Sequence, residues 1–200
     1  MLSSSWGSMS QRGQNSSLLG EVSMKARTLL PAAILAWLVV AVAAQQPGAA
    51  QLLTNEEVNE FLSEAFWLEG EKCPVQRRNA VGARTEDGNL VLVALVDTSA
   101  FSSEFQGKYV GVVVIGKGNV MLGESAIKPG TYGLGKKKGT AEDEETVTFV
   151  IYDVFGTALA EVAARKDEAL RPVTPIQLKA EAEGPLRLYL GAYYVLLSWK

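Results

Sequence analysis

The sequence predicts a mainly β protein, an antiparallel β-sandwich or up-and-down barrel of about eight strands with one N-terminal helix. Three observations carry this. Past Cys73 the chain breaks into short runs rich in Val, Ile, Leu, Thr and Tyr, divided by Gly, Asn and Asp at turn spacing. One capped amphipathic segment precedes those runs. No later segment reads as a helix long enough to connect parallel strands, so successive strands are expected to pair as hairpins. At 200 residues, 48% hydrophobic and 20% charged, the chain has the composition of a single folded domain.

The N-terminus reads as an address. Residues 1–23 are rich in Ser, Gly and Gln, have no apolar period and precede a second start at Met24, so they are expected to be a non-structural upstream extension. From Met24 come Lys25 and Arg27, an apolar run from Leu29 to Val42, and small residues at Ala43 and Ala44. This is the order of a signal peptide over 24–44, cleaved after Ala44. The run is short against the roughly 20 residues that span a bilayer. A lipid-anchored product would carry a cysteine directly after the cleavage site, and Cys73 lies far downstream. The expected product is periplasmic or secreted and meets the membrane only during export.

Residues 45–74 are expected to be a helical segment. Thr54 and Glu57 make a capping box, and Val58, Phe61, Leu62, Ala65 and Phe66 follow at helical spacing. The pattern predicts a helix over about 55–68, ended by the Gly70 and Pro74 region.

Residues 75–200 are expected to be the β domain. Val81–Thr85 and Leu90–Val96 flank Asp87-Gly88, a tight hairpin signal. Tyr109–Ile115 and Val120–Leu122 flank Gly116–Asn119 in the same way, as do Val147–Val154 and Thr157–Ala163 around Phe155-Gly156. The segment Ala158–Leu170 has helix-forming composition, but the hairpin partner just upstream favours a strand. Val173–Ala180, with Pro175 marking an edge strand or bulge, and a last run Leu186–Leu197 complete the set.

The chemistry the chain can support is bounded by what it lacks. There is no histidine, which removes Ser-His-Asp and Cys-His catalysis and histidine zinc sites. The single cysteine, Cys73, cannot close an intramolecular disulfide, and only an intermolecular bridge remains open to it. After removal of residues 1–44, 16 Lys and Arg face 21 Asp and Glu, a net charge of −5 that disfavours polyanions. Nucleic acid is therefore not an expected partner, and no cofactor is implied.

Several motifs have plain structural readings. Gly130–Lys137 nearly spells a phosphate-binding loop, yet Lys137 stands where a magnesium-binding Ser or Thr belongs, so a turn-rich connection is expected there. Gly116-Lys117-Gly118 joins two β-like runs, where a dinucleotide site needs a strand followed by a helix. Lys136-Lys137-Lys138 and the acidic group Glu142, Asp143, Glu144 and Glu145 read as a solvated loop, with calcium binding at the four carboxylates as the functional alternative. Tyr189, Tyr193, Tyr194 and Trp199 make the C-terminal strand aromatic. They are expected to pack inside, with a stacking platform for a sugar or another flat ligand as the alternative.

The run Ile127-Lys128-Pro129-Gly130-Thr131-Tyr132-Gly133-Leu134, followed by the hairpin over 147–164, resembles small exported bacterial β proteins carrying a "PAGTY" element. The resemblance covers roughly 110–165 and implies a turn leading into a strand. It implies no catalytic residue, and most such proteins have no assigned activity. Pro129 and Gly130 suit the turn, and Thr131 and Tyr132 suit the strand.

Three functions fit these observations. The first is a non-enzymatic exported β domain that binds a small ligand or an envelope protein through loops or a barrel mouth. The second is a hydrolase using carboxylates alone or a Ser-Lys pair. The third is an envelope structural or assembly subunit with an exposed strand edge.

Overall fold

A computed structural model describes residues 50–139, 146–181 and 184–200, which fall in one compact unit. The upstream extension, the signal peptide and the acidic group Glu142–Glu145 lie outside the described residues.

The described chain is mainly antiparallel β. It begins with β1 (Gln51–Leu52), α1 (Asn55–Phe61), the hairpin β2 (Ala65–Leu68) and β3 (Glu71–Pro74), and a 3₁₀ turn at Arg77–Asn79. Then come β4 (Val81–Arg84), β5 (Leu90–Leu95), α2 (Ser103–Lys108), β6 (Gly111–Lys117), β7 (Val120–Leu122) and β8 (Ser125–Ile127). The remainder is β9 (Gly130–Lys138), β10 (Val147–Tyr152), β11 (Ala158–Lys166), β12 (Ile176–Lys179), β13 (Leu186–Leu190) and β14 (Tyr193–Trp199). Twelve strands form one sheet in the order β1-β4-β5-β6-β9-β10-β11-β14-β13-β12, with β7 added beside β14 and β8 beside β7. The other two, β2 and β3, pair only with each other.

Two expectations about architecture are corrected. The described strands number fourteen, not about eight. The barrel is not closed, because β1 and β12 end the hydrogen-bonded order, although β12 lies against β4. Pro175, next to β12, fits that end position, since a ladder with one neighbour tolerates a missing N–H.

The sheet has a different core on each face. On one face Val91, Val93, Val113, Ile115, Leu134, Phe149 and Ile151 meet Leu122, Leu188, Val195 and Leu197 in a single cluster. On the other, Leu92, Ala94, Val112, Val150 and Tyr152 are covered by Val58 and Leu62 of α1 and its C-cap, Leu68 and Cys73 of the hairpin, and Phe105 of α2. Strands buried on both faces have no polar alternation, which is why β5, β6 and β10 read as nearly unbroken apolar runs.

The predicted helix over 55–68 stops at Phe61, and residues 65–68 are strand β2. The capping box at Thr54 and Glu57 is present. Leu62, the C-cap, is already extended, and the chain beyond it is a hairpin in which Glu69 at φ 51° and Gly70 at φ 80° give the two positive angles of a mirror-image two-residue turn. Gly70 therefore closes a hairpin and does not cap a helix. A second helix, α2, was not expected; Ser102 caps it by accepting from the Phe105 N–H.

The hairpins β4–β5 and β10–β11 pair as predicted, and Ala158–Lys166 is strand. The third predicted pair does not form. β6 is flanked by β5 and β9, whereas β7 leaves through the Gly118 turn (φ 76°) to pair with β14. The last run is two strands, since Gly191 at φ 64° turns β13 back as β14.

Gly130–Lys137 lies within a strand and is not a turn-rich connection. Its glycines make room for rings. A Cβ on Gly133 would stand 2.3 Å from Cε1 of Tyr109, and one on Gly135 would stand 2.6 Å from Cε2 of Tyr152. These two rings, 5.4 Å apart and edge to face, cross β9 where it has no side chains.

Candidate ligand-binding site

The enclosed face of the sheet has little room for a ligand. The void among Val113, Leu134, Phe149, Leu188 and Val195 is about 10 Å³, the size of one water. Space lies instead at one end of the sheet, where a cavity of about 400 Å³ is bounded by Ala50, the β4–β5 turn, Gly184 to Leu186, and Leu197 to Lys200. That volume falls within the range typical of small-molecule sites.

Its polar wall is held by backbone geometry. In the β4–β5 turn the Thr85 N–H donates to the Asn89 carbonyl at 3.0 Å, the Gly88 N–H donates to the Thr85 carbonyl at 2.9 Å, and the Asn89 N–H donates to the Thr85 hydroxyl at 3.1 Å. The Lys117 ammonium donates to the Asp87 carbonyl at 2.7 Å. Gly118 lets Asn89 approach, because a Cβ there would stand 2.4 Å from Asn89 Oδ1. The opposite wall is the end of β14, aligned by Trp199 against Val120 and by the Lys200 N–H on the Asn119 carbonyl at 3.0 Å.

Trp199 supplies the chemically notable group. Its indole Nε1 is buried and has no hydrogen-bond partner among the described residues. With Thr85, Asp87, Asn89 and Ser198 on the same cavity and Leu186, Leu197 and Pro185 beside them, the lining offers both hydrogen bonds and an apolar wall.

The four aromatic residues singled out by sequence divide between the two sides of the sheet. Tyr193 and Trp199 pack against the enclosed core. Tyr189 and Tyr194 are cross-strand neighbours, with centroids 5.3 Å apart. Tyr189 is only 1% exposed and its hydroxyl donates to Asp167 Oδ2 at 2.9 Å, while the Arg187 guanidinium stacks 4.8 Å over Tyr194. That hydrogen bond holds the Asp167 carboxyl below its ordinary range. The Lys179 ammonium lies 5.5 Å from the centre of the Tyr189 ring, so each ring of this pair has a cation over it.

A second polar cluster fastens the β2–β3 hairpin. Glu69 accepts from the Tyr109 hydroxyl at 2.7 Å and from the Lys108 ammonium, and its own N–H donates to the Val154 carbonyl at 2.7 Å. The Lys108 ammonium, followed by the Tyr109 hydroxyl, draws the Glu69 carboxyl below its usual value. Burial, then Glu69, pushes the Tyr109 phenol up. The free thiol of Cys73 is buried, and desolvation raises it.

No protein-family model, curated protein or solved structure matches this chain. Among the described residues no group of three or more carboxylates and thiols is placed to hold a metal ion. No serine hydroxyl among them is hydrogen-bonded to a lysine. The cavity residues Thr85, Asp87, Asn89, Ser198 and Lys200 were missed by sequence. Asp87 and Asn89 are visible only as turn residues, and the register that carries β14 to the same end of the sheet has no local signature.

Proposed function

We propose that this chain is an exported, non-enzymatic β domain, of the sandwich type, that binds a small ligand with both polar and apolar faces at the end of its sheet. One observation carries the reading: a cavity of about 400 Å³ with both polar and apolar side chains on its wall, in a protein whose enclosed core has no comparable space. Export rests on the order of charges, apolar run and small residues over 24–44.

The test is thermal unfolding of the full chain against neutral disaccharides, amino acids, short-chain lipids and divalent ions. A ligand of the folded state supplied at one hundred times its Kd raises the midpoint by about 5 °C or more. The rise should follow ligand concentration and be lost in Asn89→Ala, which removes a cavity side chain outside both cores. No shift across the panel, or a shift unchanged in Asn89→Ala, contradicts the site.

A further inference from the structure

The ladder of the large sheet opens into a fork between β11 and β14. These strands pair only at Arg165 with Tyr194 and Lys166 with Tyr193; farther along, β14 pairs with β7 through Leu197, Ser198 and Trp199. Alternation fixes which groups face the gap. The Asp167 N–H donates to the Ala192 carbonyl across this junction, so Glu161 and Ala163 point their backbone groups away from β10, and Leu196 points its own away from β13. None of these six N–H and C=O groups has a ladder partner among the described residues.

An open edge is normally protected by proline, charge or a bulge. Here Ala160–Ala164 contains no proline, and the bulge on this strand sits at its start, opposite Ile151 and Tyr152. Its one charge, Glu161, is neutralised by the Lys137 ammonium at 2.6 Å. Beside the edge runs a trough of about 140 Å³ lined by Gly123, Val162, Ala163, Arg165 and Tyr194 to Leu196. Arg165 is exposed and has no ion-pair partner among the described residues, and it places a positive charge at the closed end of the fork.

We propose that this fork is a peptide-binding site: an extended segment of a partner protein adds as a strand along β11, with an acidic side chain at Arg165 and an apolar one in the trough. Main-chain bonds to Glu161, Ala163 and Leu196 supply affinity, and the charge at Arg165 sets which end of the segment enters the fork. The site is separate from the cavity at Trp199, so either can fail alone.

The probe is a fluorescein-labelled peptide, Asp-Val-Thr-Val-Thr amide, titrated by anisotropy with the full chain. Saturable binding is expected, weakened at least about tenfold when the valine nitrogens are methylated, because methylation removes strand-pairing donors. Ala163→Pro should weaken it similarly, since it deletes an N–H that faces the gap and leaves the β10 ladder whole. Arg165→Glu should reverse the preference between the Asp peptide and its Lys counterpart. Absence of saturable binding, or equal affinity for the methylated peptide on the unmodified chain, overturns the proposal even if Ala163→Pro does not fold. So does self-association of the chain abolished by Ala163→Pro, which would make a second copy the occupant.

Discussion

At the scale of single residues, small groups in β9 decide the packing of large ones. Gly133→Ala places a methyl against the Tyr109 ring, which is fixed by Glu69 and has nowhere to move. A loss of about 1–3 kcal/mol is expected, read by urea unfolding with an unchanged m value. The Glu69 carboxylate gives a second prediction, in pH. Its value is lowered below 4.5 in the folded protein, so the stability it contributes is present above about pH 4.5 and lost as pH falls through the lower folded value. Asp167 acts in the same direction. Unfolding midpoints should therefore drop as pH falls below roughly 5, and Glu69→Gln should flatten part of that drop. A drop of equal size in Glu69→Gln would show that the contact with Lys108 and Tyr109 is not formed.

At the scale of elements, local signals and long-range pairing part company. Gly70 is the turn of β2–β3, at φ 80° with open space around its Cα. Gly70→Ala should cost about 1–2 kcal/mol from backbone conformation alone, and a hydrogen-exchange experiment should show the loss first in β2 and β3. The β4–β5 and β10–β11 hairpins were legible because Gly88 and Gly156 close short turns between apolar runs. The helix of residues 55–68 was overread because Ala65 and Phe66 continue its spacing by coincidence of composition. What fixes them as strand is a turn at Glu69, a residue whose positive φ carries no sequence mark. The exchange of partner between β6 and β7 was hidden for a different reason. Gly118 marks a turn, but whether the outgoing strand folds back on β6 or crosses to β14 depends on a strand some 80 residues away.

At the scale of the whole molecule, two cores on opposite faces leave the interior full and the ends available. Leu188→Ala should cost about 2–5 kcal/mol, since the side chain lies in the enclosed cluster with no adjoining void larger than a water. Of the ligand site, the sequence offered Trp199 as one aromatic among four and nothing of its polar neighbours. Thr85, Asn89 and Ser198 meet only because the β4–β5 turn and the end of β14 reach the same end of the sheet. Ligands are expected to enter at this end and not between the faces. The most direct measurement is the indole N–H resonance of Trp199, assigned by its loss in Trp199→Phe, followed with backbone amides as the ligand panel is added to the ¹⁵N-labelled chain. A binding ligand should shift this resonance together with the amides of Thr85, Asn89 and Ser198 while those of Leu134, Phe149 and Val195 stay in place; a Trp199 indole unmoved by every ligand, or shifts confined to the enclosed strands, would place binding elsewhere.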